Sequence, residues 1–137
     1  MKNTHRFIVV DDDSFNNLVC KYSILKFDTN AEIQLFTDPE KALAAIREQF
    51  SNTTENLDTV LFLDINMPVM SGWEFLDEFE TFDKKIHQQI TIYILSSSID
   101  PGDKIYADNN SFVKGYYPKP LSIETMNQIF SQTKQDL

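Results

Sequence analysis

The chain has 137 residues, of which 42% are hydrophobic and 24% are charged, a composition that suits one soluble domain with its own core. Its net charge of -9 argues against nucleic acid or an anionic membrane as the main partner, because phosphate groups attract basic surfaces. The single cysteine, Cys20, excludes an intrachain disulfide, and the N-terminal MKNTHR lacks the apolar segment of a signal peptide. With no apolar run that approaches a membrane span, we predict one cytoplasmic domain over 1–137, with its core at about 6–133.

The first predicted strand, Phe7 to Val10, is followed directly by three acidic residues, Asp11, Asp12 and Asp13. Like charges this close raise one another's pKa unless a cation or hydrogen-bond donors offset the repulsion. A single Asp would be interpreted as part of a solvated turn or as a helix cap. Three in succession after a buried strand favour a cation site.

The first predicted helix has Ser14 or Asp13 as its N-cap, and its apolar residues recur at helical spacing. The second opens with Asp38-Pro39, a cap followed by proline at the first helical position. Both patterns predict amphipathic helices that pack against a core. The residues that define the two faces are Phe15, Leu18, Val19, Tyr22 and Leu25 in the first helix, and Ala42, Leu43, Ile46 and Phe50 in the second.

Three further helices are predicted, from about residue 72, over about 100–110, and from about residue 122. Trp73, in the first turn of the third helix, is interpreted as a packing or rim residue rather than a binding surface. The residues expected to face the core are Phe75, Leu76, Phe79 and Phe82 in the third helix, and Ile123, Met126, Ile129 and Phe130 in the fifth.

Apolar runs typical of strands lie at 7–10, 33–36, 60–63, 90–95 and 112–117. Five strands that alternate with five helices predict a doubly wound α/β fold with a parallel sheet covered on both faces. Pro118, at the end of the last run, suits an edge strand because proline cannot donate to a central ladder.

Chemically useful side chains follow the predicted strands, and ligands of open α/β sheets bind beyond the carboxyl ends of the strands. The first strand delivers the three Asp residues, the third Asp64, the fourth Ser96 and its neighbours, and the fifth Lys119. This set suits phosphoryl transfer: Asp12 and its neighbours would hold Mg²⁺, Asp64 would attack phosphorus, and Ser96 and Lys119 would bind phosphoryl oxygens. A zinc site is not expected, with Cys20 remote and no His near these strand ends.

Four segments in chain order resemble the receiver domain of two-component response regulators: VVDDD, LDINMPVMSG, YILSS and YYPKP. The resemblance extends over about Arg6 to Thr133. It implies a flavodoxin-like fold with strand order 2-1-3-4-5.

The resemblance also implies a role for each site residue. Asp64 would be the phosphoacceptor, and Asp11 and Asp12 the acidic pair, with Asp12 as the direct Mg²⁺ ligand and Asp13 as a helix cap. The other implied roles are a backbone-carbonyl metal ligand at Asn66, a switch hydroxyl at Ser96, an aromatic switch at Tyr116, a lysine at Lys119 with a cis bond to Pro120, and an influence of Asn66 and Ser98 on the attacking water.

Position 96 is Ser where the family more often has Thr, so the methyl that restricts χ1 is missing. We expect phosphorylation to survive and the switch to be looser. Pro118, shortly before Lys119, stiffens the approach to the lysine.

The implied function is a stand-alone receiver without further enzymatic activity. A sensor histidine kinase or phosphotransfer protein would phosphorylate Asp64. The face formed by the fourth predicted helix, the fifth strand and the fifth helix would then repack and act on a downstream protein or form a homodimer.

Two alternatives stay open from the sequence. In DDDSF, Asp11 and Asp13 have the spacing of the nucleophile and the acid/base of a haloacid-dehalogenase-like phosphatase, although Phe15 and the missing later acidic pair do not fit that family. The other alternative is a receiver-like interaction module that is not phosphorylated.

Overall fold

The protein forms one five-stranded parallel sheet with the strand order β2-β1-β3-β4-β5. The computed structural model describes residues 5–97 and 100–135, with side chains up to residue 131. The strands are β1 (Arg6–Val10), β2 (Glu32–Phe36), β3 (Thr59–Asp64), β4 (Ile90–Ser96) and β5 (Val113–Pro118). The predicted doubly wound α/β fold and its strand order are confirmed, and Pro118 lies on an edge strand.

Six helices occur among the described residues, where the sequence predicted five. They are α1 (Ser14–Phe27), α2 (Pro39–Ser51), α3 (Gly72–Glu80), α4 (Lys84–His87), α5 (Pro101–Asn109) and α6 (Ile123–Gln135). The additional helix, α4, has four residues, which is too short to give a periodic apolar pattern, although its Ile86 is buried. Within the described part of the chain, no helix is both long and apolar enough to cross a membrane.

Two apolar clusters cover the two faces of the sheet, because successive residues of a strand point to opposite faces. β3 lies at the centre of the sheet and is buried along its whole length, so it contributes to both clusters. One cluster packs the sheet against α2, α3 and α4, and the other against α1 and α6. Members of the first include Val10, Leu61, Leu63, Phe50 and Phe79, and members of the second include Phe7, Val9, Phe62, Ile24 and Met126.

The apolar face predicted for α1 is wrong. Phe15, Leu18 and Tyr22 are 72%, 45% and 63% exposed, and we call these three residues the α1 stripe. The buried side carries Asn17, Cys20 and Ile24 instead. It tolerates polar groups because the Asn17 amide donates to the carbonyl oxygens of Asp11 and Phe36, and hydrogen-bonded polar groups can be buried.

The other predicted helix faces are largely confirmed. The residues of α2 and α3 that were expected in the core are buried, and so are Met126 and Ile129 of α6. Phe130 is half-buried and packs against the second cluster, and Ile123, at the start of α6, is 36% exposed. Asp38 caps α2 as predicted, Asp100 caps α5, and Ser71 and Glu74 form a capping box at α3.

Truncating Phe62 should destabilise the fold far more than truncating Phe15. Phe62 is fully buried beside Phe7 and Tyr93, so Phe62→Ala should lower the free energy of unfolding by about 3–5 kcal/mol. Phe15→Ala, on the α1 stripe, should change it by less than about 0.5 kcal/mol. Urea denaturation of both variants measures the difference. Equal losses would mean that the α1 stripe is packed rather than exposed.

Candidate functional site

Three carboxylates meet beyond the carboxyl ends of β1 and β3. Asp11, Asp12 and Asp64 each place a carboxylate oxygen within 4.8 Å of the others, and we call them the acidic cluster. Asp11 and Asp64 are 2% and 5% exposed, whereas Asp12 is exposed. The acidic cluster could therefore hold a metal ion, with one carboxylate accessible and two held in place.

Lys119 supplies the positive charge beside the two buried carboxylates. Its Nζ lies 2.7 Å from Oδ2 of Asp11 and 3.0 Å from Oδ1 of Asp64. The Lys119 backbone N–H donates to the carbonyl oxygen of Ser96 at 2.8 Å, and the Lys119-Pro120 bond is cis as expected. The end of β4 thus fixes the backbone from which the lysine reaches across to the acidic cluster.

One ammonium group does not fully offset two buried carboxylates. Burial and the charge of Asp11 raise the pKa of Asp64, against the opposing effects of Lys119 and of the Asn66 backbone N–H. Burial alone would lower the pKa of Lys119, but its hydrogen bonds and charge interactions with Asp11 and Asp64 raise it. The geometry therefore favours the binding of a further cation.

The first turn of α1 holds Asp11 through two amides that the sequence did not single out. Asn16 Nδ2 donates to Asp11 Oδ2 at 2.6 Å, and Asn17 Nδ2 donates to the Asp11 carbonyl oxygen at 3.0 Å. The Asp13 backbone N–H donates to Asp11 Oδ1 at 2.9 Å. The only signal in the sequence is that both Asn residues lie within one helical turn of the acidic residues.

Asp13 is the N-cap of α1. Its carboxylate accepts hydrogen bonds from the backbone N–H groups of Phe15 and Asn16, which confirms the predicted cap. It is not a member of the acidic cluster. An acid/base role for Asp13 next to a nucleophilic Asp11 is therefore disfavoured.

Gly72 allows α3 to begin directly beside the end of β3. Its backbone N–H donates to the Ile65 carbonyl oxygen at 2.8 Å. A Cβ atom at this position would lie 2.6 Å from the Asp64 carbonyl oxygen and 2.9 Å from Ile65 Cα, and neither backbone atom can give way cheaply. The glycine thus fixes how closely α3 approaches the strand that carries Asp64.

The remaining predicted site residues surround this centre at different depths. Ser96 is 1% exposed at the end of β4, and Tyr116 is half-buried on β5, where it packs against the α2–α3 side of the core. Asn66 is exposed, and its backbone N–H donates to the Asp64 carboxylate. Ser98 lies outside the described residues.

Cys20 is closer to the site than expected. Asn16 Nδ2, which contacts Asp11, also lies 3.8 Å from Cys20 Sγ. Burial raises the pKa of the Cys20 thiol to about 12, and the charge of Asp11 acts in the same direction. A thiol that stays protonated is a poor metal ligand, so the expectation of an oxygen-liganded rather than a zinc site is unchanged.

Trp73 is a packing residue, as predicted, and it connects α3 to α5. Its ring centroid lies 4.3 Å from that of Tyr106, and its indole Nε1 donates to Asp103 Oδ1 at 3.2 Å. Only Ala107 of α5 is buried, so these contacts with Trp73 add to the packing of α5 against β5.

Comparisons with known proteins agree on one family. A family model described as the response regulator receiver domain matches residues 7–131. The curated stress response regulator protein 1 of Debaryomyces hansenii is 29% identical over 120 residues, and the match covers 88% of this chain. Because it covers 46% of that protein, this chain spans less than half the length of that relative.

Solved structures from two bacteria are similar over nearly the whole chain. The two-component response regulator from Cytophaga hutchinsonii is 26% identical with a TM-score of 0.85, covering 98% of this chain and 99% of the other. The response regulator receiver protein from Dyadobacter fermentans is also 26% identical, with a TM-score of 0.81 and coverage of 93% and 95%.

Neutralising Asp64 should stabilise the protein in the absence of metal. Asp64→Asn removes a buried charge next to Asp11, so the free energy of unfolding at pH 7 should rise by about 1 kcal/mol or more. Because the folded-state pKa of Asp64 is raised, the wild type loses stability as pH rises from the unfolded-state pKa through the folded-state value. The advantage of Asp64→Asn should therefore shrink as pH falls toward about 4.

Urea denaturation with EDTA at several pH values measures this dependence. The control is Asp77→Asn, which removes an exposed carboxylate and should change stability by less than about 0.5 kcal/mol. If Asp64→Asn were less stable than the wild type at pH 7, the interpretation that Lys119 alone does not offset the charges of Asp11 and Asp64 would be wrong.

Proposed function

Because the chain belongs to the response regulator receiver family, we propose that it is the phosphoacceptor domain of a two-component system, with Asp64 as the phosphorylated residue. The observation that carries this proposal is the position of Lys119, whose ammonium group lies between the carboxylates of Asp11 and Asp64. Both a phosphoryl acceptor and a group that can stabilise phosphoryl oxygens are thus within one hydrogen-bond distance of each other.

In the proposed reaction, a carboxylate oxygen of Asp64 attacks the phosphorus of a phosphohistidine. The new O–P bond forms as the N–P bond breaks, and the donor imidazole leaves with the electron pair. The Lys119 ammonium and the Ser96 hydroxyl bind the phosphoryl oxygens. Water later cleaves the acyl phosphate to inorganic phosphate and the original carboxylate, so the domain catalyses only its own phosphorylation and dephosphorylation.

Mg²⁺ fits the donor set at this site. The ligand atoms that Asp11, Asp12 and Asp64 offer are all oxygens, and the two buried carboxylates share the one ammonium group of Lys119. Asp12 would bind the ion directly, together with Asp64, the Asn66 backbone carbonyl and the Asp11 carboxylate. When bound, Mg²⁺ neutralises carboxylate and phosphoryl charge during the transfer.

The α1 stripe supports a protein as the phosphoryl donor. Phe15, Leu18 and Tyr22 lie at i, i+3 and i+7, on one side of a helix that begins at Ser14, two residues after the exposed Asp12. Exposed apolar side chains grouped beside a reaction centre are typical of a docking surface. We propose a sensor histidine kinase or a phosphotransfer protein as the partner.

The proposed output is a rearrangement of the face formed by α5, β5 and α6. Ser96 would move toward the phosphoryl group, Tyr116 would turn inward, and the repacked face would bind a downstream protein or a second copy of the chain. The shallow burial of α5 supports this choice, because a helix with one buried residue can move at low cost.

The cytoplasmic location stays a prediction.

Phosphorylation by a small donor tests the proposal. After incubation with acetyl phosphate and Mg²⁺, the intact mass of the wild type should increase by one phosphoryl group, and Asp64→Asn should show no increase. Asp11→Asn should be phosphorylated more slowly, and Asp13→Asn should behave like the wild type because Asp13 only caps α1. No adduct on the wild type would favour an interaction module, and an Asp11-dependent adduct would favour a phosphatase.

Mg²⁺ should stabilise the folded protein through Asp12. At a free Mg²⁺ concentration of ten times its Kd, the free energy of unfolding should rise by about 1.4 kcal/mol. Asp12→Asn should lose most of this gain while keeping the metal-free stability, because Asp12 is exposed.

Thermal denaturation with and without Mg²⁺ measures this gain, with NaCl of equal ionic strength and Asp77→Asn as controls. Equal stabilisation by NaCl, or an undiminished effect in Asp12→Asn, would exclude the proposed metal site.

A further inference from the structure

Three hydrogen-bond donors converge on the side chain of Asp11. Oδ2 accepts from Asn16 Nδ2 at 2.6 Å and from Lys119 Nζ at 2.7 Å. Oδ1 accepts from the backbone N–H of Asp13 at 2.9 Å. With 2% of Asp11 exposed, water cannot readily replace any of these donors.

Phosphorylation would change the interactions of one of these three donors, Lys119. In the proposed function, on which this inference rests, Lys119 must turn its ammonium group toward the phosphoryl oxygens on Asp64. Its contact with Asp11 Oδ2 then weakens, and a buried carboxylate that loses its partner is costly. The neutral amide of Asn16 already donates a hydrogen bond to the same oxygen, Oδ2 of Asp11.

We propose that Asn16 is a positioning residue that keeps Asp11 hydrogen-bonded when Lys119 turns from Asp11 to the phosphoryl group. Asn16 thereby lowers the free-energy cost of occupying the phosphoryl site. It touches neither phosphorus nor the accepting oxygen, and acts through Asp11 and Lys119.

The surroundings of Asn16 suit this task. It lies in the first turn of α1, whose start is fixed by the Asp13 cap. The next residue, Asn17, holds the backbone carbonyl of Asp11, so Asp11 cannot easily follow Lys119 toward Asp64. An amide also adds no charge, so it satisfies Oδ2 without competing with a bound cation.

Asn16→Leu removes the donor at similar side-chain volume, and beryllofluoride serves as a non-covalent substitute for the phosphoryl group. Isothermal titration calorimetry with Mg²⁺ present should show beryllofluoride binding weakened about tenfold, the effect of losing one hydrogen bond to a charged group. The affinity for Mg²⁺ alone should change less than about twofold, because Mg²⁺ alone does not require Lys119 to leave Asp11. Asn30→Leu, at an exposed loop position, is the matched control.

A double-mutant cycle with Lys119→Met separates positioning from a general structural role. Without the ammonium group, Asp11 depends on Asn16 equally in both states, so Asn16→Leu should no longer weaken beryllofluoride binding. The same loss in both backgrounds, or an equal loss of Mg²⁺ and beryllofluoride affinity, would reduce Asn16 to a structural residue. Unchanged beryllofluoride affinity in Asn16→Leu would also overturn the proposal.

A substitute variant and the wild-type measurement separate failure of the Asn16 proposal from failure of the proposed function. If urea denaturation shows that Asn16→Leu is unfolded, Asn16→Ala takes its place in the cycle. If the wild type itself binds no beryllofluoride in the presence of Mg²⁺, the proposed function fails, and the role of Asn16 fails with it. Tight binding by the wild type with no effect of Asn16 variants refutes the role of Asn16 alone.

Discussion

Two buried carboxylates that share a single ammonium group are the constraint on which this site depends. Asp11 and Asp64 lie at the ends of adjacent parallel strands, and Lys119 bridges them. The strands cannot move apart to relieve the repulsion, because β1 and β3 are packed between two apolar clusters. The core therefore maintains an electrostatic arrangement that is unfavourable by itself, and a bound cation would relieve it.

The three consecutive acidic residues divide three tasks among them. Asp11 is buried and held by three donors, Asp12 is exposed and accessible to a cation, and Asp13 caps α1. A carboxylate suits each position for a different reason: Asp11 is a fixed charge, Asp12 is an accessible oxygen donor that could bind a cation, and Asp13 accepts from backbone N–H groups. The geometry of the turn between β1 and α1 separates three identical side chains into three environments.

Much of the fold could be predicted from local patterns in the sequence. Apolar runs and cap residues placed the five strands and five of the helices, whereas the strand order came from the family resemblance. The buried face of α1 could not be predicted, because apolar spacing ignores polar groups such as Asn17 that are buried with backbone partners. The same limit applies to Asn16, whose contact with Asp11 depends on how the strand turns into the helix. The orientation of α1 thus places the amides of Asn16 and Asn17 toward the site and leaves the α1 stripe exposed.

The contact between α3 and α5 gives this protein an internal optical reporter. Trp73 is the only tryptophan in the chain, and it is in tilted ring contact with Tyr106 and hydrogen-bonded to Asp103, both on α5. One residue before it, Gly72 packs against the backbone of Asp64. Indole emission responds to the loss of a hydrogen bond and to exposure to water, so a displacement of α5 would change the intrinsic fluorescence of the protein. The proposed movement of the helix could therefore be followed in real time without attaching a label.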